Sequence, residues 1–493
     1  MARSGTDRAV VVGGGIAGLL AARVLAEHDL EVRVLDRDVL DRDALDRDVL
    51  DRDGPEHRHE DGARRGVPQG RHIHALLPRG RQILEELFPG LTSQLVDAGA
   101  PHGDLLGDAR LQLSGHRFAR ADAGLSTVSV SRPFLESVVR DRVRQLPNVT
   151  FSPACDVLGL TTTPEGERVT GVRVLRRADS SAAEVLEGAV VVDAMGRGSR
   201  TPRWLEELGY EPPPEEEVVG DVGYATRHYR LAPEVLGGDW GTLQGPTPAC
   251  PRGGALARIE GDRWIATLFG LLGDHPPGEP GGFLAFADSL TFPDLGRAIR
   301  SGEPLDAPVR MRFPASVRRR YERLRRFPEG LLPLGDGVCS LNPIYGQGMT
   351  VAALQALALR AHLEQRTAPD PLGWLRAVAR IVDPAWDMVL GGDLALPGVE
   401  GPRTPKVRVL GAYVGRLHAA AAADPELAVA FARVMALVDP PSTLLQPRVA
   451  ARVVLGGRRA VSPDPSRAST ARDDQPPAAG RRATHRREEE VRR

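Results

Sequence analysis

The chain of 493 residues contains almost no lysine and few cysteines. Lys406 is its single lysine, so arginine supplies nearly all of the 64 basic residues. The three cysteines, Cys155, Cys250 and Cys339, are odd in number, widely separated and without metal-ligand spacing. This pattern is typical of a reduced cytoplasmic protein and gives no reason to expect a disulfide framework or a metal site.

Charge of one sign and long apolar runs are also missing. The 64 basic and 65 acidic residues leave a formal net charge of −1 at pH 7, so nucleic acid is not an expected partner. No stretch reaches the roughly 20 uninterrupted apolar residues of a membrane-spanning helix, and we expect no transmembrane segment. The length exceeds what one hydrophobic core usually organises, which predicts at least two domains.

The first informative motif is a glycine-rich turn near the N-terminus. An apolar run at residues 9–12 predicts a buried parallel strand, and residues 16–28 predict the helix that follows it. A second strand is predicted at residues 31–35, so the chain opens as a β-α-β unit. The turn after the first strand holds the glycines of a Gly-x-Gly-x-x-Gly sequence, namely Gly13, Gly14, Gly15 and Gly18.

This spacing predicts a dinucleotide site. Gly13 permits the tight turn, Gly15 lets the backbone approach a pyrophosphate at the helix N-terminus, and Gly18 lets the helix pack closely against the strand. Asp36 lies 18 residues after Gly18, where an acidic side chain accepts hydrogen bonds from ribose hydroxyls and disfavours a 2′-phosphate. The alternative is a glycine turn in an ordinary β-α-β unit, which the surrounding strand, helix and Asp36 make less favourable.

A low-complexity insertion follows at residues 36–62. Leu-Asp-Arg-Asp occurs four times, beginning at Leu35, Leu40, Leu45 and Leu50. A period of five puts successive leucines on different faces of a helix or a strand, so neither regular element is expected. We expect a solvated insertion. Cation binding by the Asp-x-Asp pairs is an alternative that lacks the glycine turns of calcium loops.

Two later turns also combine aspartate with glycine. Residues 190–193 predict a buried strand that ends in Asp193 and leads into a glycine turn, which is a weak signal on its own. Asp336 follows a later apolar run and can hydrogen-bond a ribityl hydroxyl. A helix predicted at residues 348–364 would direct its N-terminus at a flat, anionic ring. The glycines before it, Gly346 and Gly348, would let the main chain pass under that ring.

Taken together, these stretches carry a resemblance. The chain resembles flavoprotein monooxygenases of the para-hydroxybenzoate hydroxylase fold class, and is most similar to the bacterial polyether-type epoxidases such as the lasalocid and monensin epoxidases. The similarity extends from about residue 8 to about residue 390. The shared stretches are residues 65–74, 131–132, 192–199, 224–227 and 335–349.

The resemblance implies an α/β fold with an FAD-binding Rossmann-like domain of the GR2 type, an inserted β-sheet substrate domain and a C-terminal helical region. We expect the FAD-binding domain to occupy residues 1–90, 91–215 with interleaved substrate-side strands, and 313–365. The remaining predicted parts are the substrate-binding sheet at 216–312, C-terminal helices at 366–460 and a disordered tail at 461–493.

The resemblance also implies a chemistry. In such enzymes reduced FAD reacts with O2 to give a flavin C4a-hydroperoxide, whose distal oxygen passes to an alkene or an electron-rich ring. The implied substrate is a small apolar, polyketide- or polyene-like intermediate, which is epoxidised or hydroxylated. Because the flavin carries the reaction, we assign no catalytic acid or base. NAD(P)H is the implied reductant, used directly or through a flavin reductase, since Asp193-Ala194-Met195-Gly196 replaces the Asp-Gly pair of many aromatic hydroxylases.

Site residues follow from the same resemblance. Arg132 is expected to contact FAD near the ribose or pyrophosphate. The expected ribityl and isoalloxazine contacts are Asp336, Gly346, Gly348 and Met349. The candidates on the substrate side are His72, His74, Tyr224 and Tyr345, with the pocket wall near Tyr224 and Trp264. For the two histidines, an ordinary hydrogen-bonded pair is the more favourable interpretation, and two histidines without a third ligand make no metal site.

Three other functions stay open or are disfavoured. A flavin-dependent reductase or desaturase of isoprenoid chains would share the first and third motifs. A flavin halogenase fits less well, because halogenases rely on an active-site lysine and a Trp-x-Trp-x-Ile-Pro segment, whereas Lys406 follows every flavin motif and that segment is absent. A non-enzymatic nucleotide-binding scaffold would not need the segment after Asp336, since that segment serves the reactive ring.

Overall fold

The computed structural model describes residues 8–38, 67–177, 183–364 and 370–459. The repeats that begin at Leu40, Leu45 and Leu50 and the tail predicted from residue 461 lie outside these ranges. Their solvated and disordered character stays a prediction. Within the described ranges, none of the helices combines the length and the apolar character needed to cross a membrane.

The described ranges contain nineteen strands and twelve α-helices. The strands are β1 (Arg8–Val12), β2 (Glu31–Leu35), β3 (His102–Asp104), β4 (Ala109–Leu113), β5 (His116–Arg117), β6 (Ser126–Val128), β7 (Val149–Ser152), β8 (Cys155–Thr162), β9 (Val169–Arg176), β10 (Glu184–Glu187), β11 (Val190–Asp193), β12 (Glu215–Arg230), β13 (Gly241–Gln244), β14 (Arg252–Ile259), β15 (Arg263–Gly270), β16 (Glu303–Pro304), β17 (Val309–Arg319), β18 (Leu331–Pro333) and β19 (Cys339–Ser340). The helices are α1 (Ile16–Glu27), α2 (Pro78–Leu87), α3 (Leu91–Asp97), α4 (Arg132–Arg144), α5 (Thr201–Glu207), α6 (Pro280–Asp288), α7 (Asp294–Arg300), α8 (Gly348–Glu364), α9 (Pro371–Asp393), α10 (Pro405–Ala421), α11 (Pro425–Met435) and α12 (Pro447–Arg459).

A five-stranded parallel sheet organises the predicted nucleotide-binding domain, which confirms the α/β fold class. Its strand order is β18-β11-β1-β2-β7. Strand β1 is apolar and buried from Ala9 to Val12, as expected when helices cover both faces of a parallel sheet. Helix α1 buries Leu19 and Leu20 completely, and each buried leucine contributes about 1.5–3 kcal/mol relative to exposure.

A larger sheet of nine described strands stands beside the parallel one. Its order is β19-β17-β12-β15-β14-β13-β4-β5, and β16 pairs with β12. Side chains alternate across it: Tyr224 belongs to the large core that includes the parallel sheet, whereas Ala225 and Tyr229 belong to a separate cluster with helices α6 and α7. One face of this sheet therefore packs against the predicted nucleotide-binding domain.

The large sheet extends beyond the boundaries that the sequence predicts for it. Strand β17 pairs with β12 from Glu215 opposite Arg319 to Thr226 opposite Val309, so the boundary placed after residue 312 falls inside a strand. Strand β4, from the preceding predicted segment, joins the same sheet by parallel pairing with β13. Long-range pairing of this kind is set by the fold and leaves no local signal at the predicted boundary.

Trp264 does not line a pocket with Tyr224, contrary to the expectation from sequence. Its side chain is 1% exposed and packs in the cluster on the opposite face of the sheet, with Phe283 and Phe286 of helix α6. In register Trp264 pairs with Tyr229, an odd-numbered position on β12. Because strand side chains alternate, Tyr224 and Tyr229 point to opposite faces, and Trp264 follows Tyr229.

Helices fill the C-terminal region, as predicted. Helix α9 packs on the parallel sheet through Trp374, whose indole nitrogen donates to the Pro333 carbonyl at 3.2 Å. Helices α10, α11 and α12 form a second core with the β4–β5 region, where Leu417 contacts the cluster that contains Leu111 and Phe118. Asp393, the last residue of α9, is buried and accepts hydrogen bonds from Asn342 and Tyr345.

Candidate functional site

The carboxyl edge of the parallel sheet brings the three sequence motifs together. Strands β18, β11, β1 and β2 are hydrogen-bonded neighbours that run in one direction. Asp336 follows β18, Asp193 ends β11, Gly13 follows β1 and Asp36 follows β2. Ligands of open parallel sheets bind at this edge. Motifs that lie some 300 residues apart in the sequence therefore share one site.

The glycine turn has the geometry of a nucleotide-binding loop. Gly13 has φ +110°, which favours glycine, and a side chain there would overlap the Ala194 carbonyl oxygen. A side chain at Gly18 would overlap the Gly13 carbonyl oxygen. At Gly15, by contrast, an added Cβ would have no atom within 4 Å. Gly15 caps α1 without any side-chain hydrogen bond, so the first amides of α1 face open space.

Asp36 belongs to a buried chain of charges beneath the glycine turn. The Arg140 guanidinium lies 3.5 Å from the Asp36 carboxylate and donates to the Gly14 carbonyl at 2.6 Å and to Glu136 at 2.8 Å. Glu136 also accepts from Arg132 at 3.2 Å. Asp36, Glu136 and Arg140 are each no more than 5% exposed. These contacts along α4 connect Arg132 to the glycine turn. The sequence analysis identified neither Glu136 nor Arg140.

Asp193 supports the second turn from inside. Its carboxylate accepts hydrogen bonds from the Ser199 hydroxyl, from the Thr201 hydroxyl at 2.6 Å and from the Met195 amide at 3.0 Å. Burial raises the pKa of Asp193, and these three donors oppose the shift. The three hydrogen bonds to its carboxylate thus make Asp193 a stabilising residue of the turn.

Asp336 has a different environment, because no described residue donates a hydrogen bond to its carboxylate. Burial raises the pKa of Asp336, while the charges of Arg132 and Arg197 lower it. Arg197 has no ion pair among the described residues and lies over the Phe313 ring, 4.5 Å from its centroid. The backbone comes close to α1 here, since a Cβ on Gly335 would lie 3.1 Å from that of Ala17. The charges of Arg132 and Arg197 thus act on an acceptor that follows the point where the backbone approaches α1.

The segment before α8, residues 343–347, contains a further polar group without a partner. Gly346 adopts a left-handed φ of +66°, and a Cβ there would come within 2.9 Å of the Ala75 Cβ. The side-chain oxygen of Gln347 is buried without a hydrogen-bond partner in the described structure. Gly348 is exposed and begins α8. The Met349 side chain is in the core, so only its backbone can serve the predicted contact with a ring.

Tyr345 of that segment contacts Asp393, whose charge also acts on Tyr224 of β12. The Tyr345 hydroxyl donates to Asp393 Oδ1 at 2.9 Å, and Asn342 Nδ2 donates to the same oxygen at 2.9 Å. The Tyr224 hydroxyl is buried and has no partner among the described residues. Burial raises the pKa of Tyr224 well above its usual value, and the charge of Asp393 adds to the shift. Sequence analysis did not identify Asp393, which is the last residue of α9.

The two histidines lie beside these groups and are hydrogen-bonded, as the more favourable interpretation predicted. His74 Nδ1 donates to the His72 carbonyl at 2.9 Å, and His72 Nδ1 bonds the Thr226 hydroxyl at 2.7 Å. The His72 and Tyr224 rings are 5.8 Å apart. Burial lowers the pKa of His72 to about 4, and burial together with Arg132 lowers that of His74 to about 3. Both rings are therefore neutral at pH 7.

These observations fit a bound flavin dinucleotide. The open glycine turn suits the ADP half. The Asp336 carboxylate, which is influenced by two arginine charges, and the unpartnered Gln347 oxygen suit donors on the ribityl chain or ring. The predicted site residues divide accordingly. Near the glycine turn lie Gly13, Gly14, Gly15, Gly18, Asp36 and Arg132. In or near the segment before α8 lie His72, His74, Tyr224, Asp336, Tyr345, Gly346, Gly348 and Met349.

The low histidine pKa values predict a specific acid sensitivity. Unfolding raises each histidine pKa toward 6.5, so the stability from neutral histidines is complete above pH 6.5 and is lost as pH falls toward 4. Over this pH range each neutral histidine should cost the parent protein about 3 kcal/mol of its free energy of unfolding. The double variant His72→Asn with His74→Asn has neither histidine, so it should not show this loss. Denaturant unfolding at several pH values measures it. His102→Asn, at an exposed histidine, should behave as the parent; an unchanged pH slope in the double variant would contradict the assignment.

Comparison with known proteins agrees with this architecture. A family model described as an NAD(P)-binding Rossmann-like domain matches residues 11–76, which contain the glycine turn and both histidines. The match covers the first motif only. The second and third motifs are placed by the parallel sheet itself.

Several solved flavoproteins share the fold. A flavoprotein/dehydrogenase from Cytophaga hutchinsonii is 14% identical with a TM-score of 0.64, covering 92% of this chain and 98% of that chain. The flavin-dependent brominase Bmp2 is 15% identical with a TM-score of 0.62, over 92% and 98%. A 2-methyl-3-hydroxypyridine-5-carboxylic acid oxygenase is 19% identical with a TM-score of 0.56, over 82% and 92%. At these identities the likeness shows the fold alone.

A closer relative is known from sequence. Protein Rv3254 of Mycobacterium tuberculosis is 35% identical over 449 residues, which cover 88% of this chain and 90% of Rv3254. The similarity therefore covers most of both chains. The chain belongs to the family of Mycobacterium tuberculosis protein Rv3254 and has the para-hydroxybenzoate hydroxylase fold that flavin-dependent monooxygenases and halogenases share.

Proposed function

We propose that this protein is an FAD-dependent monooxygenase that inserts one oxygen atom from O2 into an apolar natural-product intermediate, polyketide- or polyene-like, by epoxidation or hydroxylation. One observation carries the proposal. The glycine turn and the turn that holds Asp336 lie at one sheet edge. Arg132 is linked to both: it donates to Glu136, whose other partner Arg140 contacts the Gly14 carbonyl, and its charge acts on Asp336. A site for a nucleotide alone has no need of the second part.

The ADP half would be held by α1 and α4. The free amides at the start of α1 and the space beside Gly15 suit the diphosphate. Arg132 and Arg197, which both lie within electrostatic reach of Asp336, add two positive charges. Asp36 would accept from the ribose, with Arg140 holding its carboxylate in place.

The reactive half would lie between the segment before α8 and the inward face of the large sheet. Asp336 would accept from the ribityl chain, and Gly346 and Gly348 would let the backbone approach the ring. The N-terminus of α8 would favour negative charge on a reduced ring. When bound, FAD supplies the reaction with oxygen and the transfer of one oxygen atom.

The chain's own residues would orient the substrate and keep water out. Val222, Tyr224 and Phe313 on the large sheet are buried against the same core as Ile344 and Tyr345. Apolar surroundings of this kind limit the access of water and protons to the site. Water and protons would lead to release of hydrogen peroxide before an oxygen atom reaches the substrate. Since His72 and His74 are neutral at pH 7, they would act as hydrogen-bonding groups there and not as charges.

The reductant and compartment complete the proposal. We assign NAD(P)H as the electron source, and steady-state assays with and without an added flavin reductase separate direct reduction from reduction by a partner. The three cysteines are free thiols, which suits a reducing cytoplasm. We also propose that the FAD-binding part comprises the parallel sheet with α1, α4 and α8, and that the substrate part comprises the nine-stranded sheet.

Two rival functions use the same fold. Halogenation is disfavoured, because halogenases rely on a lysine in the active site. Lys406, the single lysine, is exposed on α10 and pairs with the exposed Asp387 of α9. A reductase or desaturase of isoprenoid chains would need no oxygen transfer, and the reaction with oxygen below distinguishes it. The closeness to polyether epoxidases rests on the shared sequence stretches alone.

Replacement of Gly15 by alanine should weaken FAD binding without unfolding the protein. The new methyl group meets no protein atom within 4 Å and enters the space assigned to the diphosphate, so FAD affinity should fall about tenfold or more. The free energy of unfolding of the apoprotein should change by less than about 0.5 kcal/mol. Titration of apoprotein with FAD, followed by flavin fluorescence, measures the affinity.

Two matched alanine variants control this experiment. Gly411→Ala also adds a methyl group in open space, on α10, and should leave FAD affinity unchanged. Gly18→Ala should lower the free energy of unfolding by about 1–3 kcal/mol, because its methyl group overlaps the Gly13 carbonyl. Parental FAD affinity in Gly15→Ala would contradict the assigned position of the diphosphate.

The reaction with oxygen tests the proposed activity directly. The FAD-loaded protein is reduced anaerobically and mixed rapidly with oxygenated buffer, with free reduced FAD as the control. We expect oxidised flavin to return after a lag, through a transient absorbing species, because a closed apolar site protects that species from water. Direct return at the rate of free FAD, with NAD(P)H oxidation but no oxygenated product from polyene or aromatic probes, would support the reductase instead.

A further inference from the structure

Exposed apolar side chains are concentrated on the C-terminal bundle, which we define as helices α10, α11 and α12 with the residues between them, 405–459. Ten large apolar side chains are exposed in the described ranges, and the bundle holds five of them. The other five lie singly on different parts of the chain. Clustered exposed apolar side chains typically mark an interaction surface. The five on the bundle are Val409, Leu410, Leu445, Val454 and Leu455.

Helix α12 is apolar toward solvent as well as toward the core of the bundle. Val453 is fully buried in that core. The next two residues, Val454 and Leu455, are 56% and 63% exposed. They lie three and four residues after the exposed Ala451, so the three side chains share one face of the helix. A helix that is apolar on two sides is expected where a second apolar medium covers it.

Two further exposed residues lie where the turn before α12 meets α10. The Tyr413 hydroxyl of α10 donates to the Leu444 carbonyl at 2.5 Å. Leu445, the next residue, is more than half exposed. Val409 lies one helical turn before Tyr413, on the same side of α10, and is also more than half exposed. Helices α10 and α12 and the turn before α12 therefore all place apolar side chains on the outside of the bundle.

The bundle also carries an excess of positive charge. Residues 405–459 contain eight basic and three acidic residues, a formal net charge of +5 in a chain whose total is −1. Arg408 and Arg416 of α10 are exposed and form no ion pair among the described residues. The acidic residues cannot neutralise them, because each is paired with an arginine of α11 or α12. These pairs are Asp424 with Arg452, Glu426 with Arg448, and Asp439 with Arg433.

Charge and composition decide between the possible occupants of this surface. Residues 460–493 are unsuited to cover it, because Val461 and Val491 are their only large apolar residues and their own net charge is positive. A second copy of the chain would bring like charges together across a two-fold interface, which is unfavourable. Nucleic acid matches the charge but not the exposed apolar side chains. An anionic lipid bilayer matches both.

We propose that the outer face of the C-terminal bundle docks on the surface of an anionic lipid bilayer. The exposed valines and leucines of α10 and α12 enter the boundary between the head groups and the acyl chains, and the arginines of these helices contact lipid phosphates. The bundle lies on the bilayer and does not cross it. The inference goes beyond the proposed function and does not depend on it.

Vesicle flotation with the purified full-length chain tests the docking. One set of vesicles contains phosphatidylcholine alone, and the other contains equal parts of phosphatidylcholine and phosphatidylglycerol. The partition coefficient should be at least about tenfold higher for the anionic vesicles, because each basic residue near an anionic surface adds to the affinity. Added salt should reduce this difference, since it screens exposed charges.

Three double variants separate the apolar contribution from the charge. Val454→Ser with Leu455→Ser should lower the partition coefficient about tenfold or more, because two exposed apolar side chains are lost. Arg408→Gln with Arg416→Gln should lower it about tenfold for anionic vesicles only. The control, Val96→Ser with Val185→Ser, changes exposed valines outside the bundle and should match the parent. All three should keep the parental FAD affinity, which shows that they are folded.

Several results would overturn the inference. Absence of binding to both kinds of vesicle, equal binding to both, or binding that the serine variant retains in full would each refute docking by this face. Self-association without lipid that the serine variant loses, measured by sedimentation velocity, would assign the face to a second copy. Tight binding of a DNA duplex that the serine variant retains would assign the charge to nucleic acid. FAD binding and the reaction with oxygen are measured without lipid, so none of these results decides the proposed function.

Discussion

Parallel alignment of four neighbouring strands is the constraint on which the proposed site depends. Strands β18, β11, β1 and β2 point the same way, so the turns that follow them open on one edge. If β18 lay elsewhere in the sheet, Asp336 would be separated from the glycine turn, and only a site for the ADP half would remain. The close approach of Gly335 to Ala17 and the overlap that any Gly13 side chain would make with Ala194 show how tightly the turns are packed.

Burial is the second constraint on the site, because a buried polar group needs a hydrogen-bond or ion-pair partner. Asp36, Glu136 and Arg140 form a buried group of charges, each at most 5% exposed. Removal of one partner from a buried ion pair typically costs about 3–5 kcal/mol. The buried side-chain oxygen of Gln347 has no hydrogen-bond partner among the described residues. Asp193, in contrast, has three donors within its own turn. The structure thus separates groups that stabilise the fold from groups available to a ligand.

Sequence patterns predicted the local features well and the long-range ones poorly. The glycine turn and the helix at residues 348–364 follow from spacing and apolar runs, and α8 has those bounds. Asp393 could not be found, because a single aspartate at the end of an apolar helix resembles many others. Arg140 leaves a faint signal, the four-residue spacing of Arg132, Glu136 and Arg140. Trp264 was misplaced because alternation along one strand does not say which face meets the site; pairing with β12 decides that.

The most direct test of the account is a crystal structure of the protein saturated with FAD. The account predicts the diphosphate at the α1 N-terminus beside Gly15, and the isoalloxazine ring against Gly346 and Gly348, with the Tyr345 hydroxyl still bonded to Asp393. A nucleotide bound only at the glycine turn, with the segment before α8 out of reach of any ring, would contradict the flavin site. So would a flavin ring on the face of the large sheet that holds Trp264.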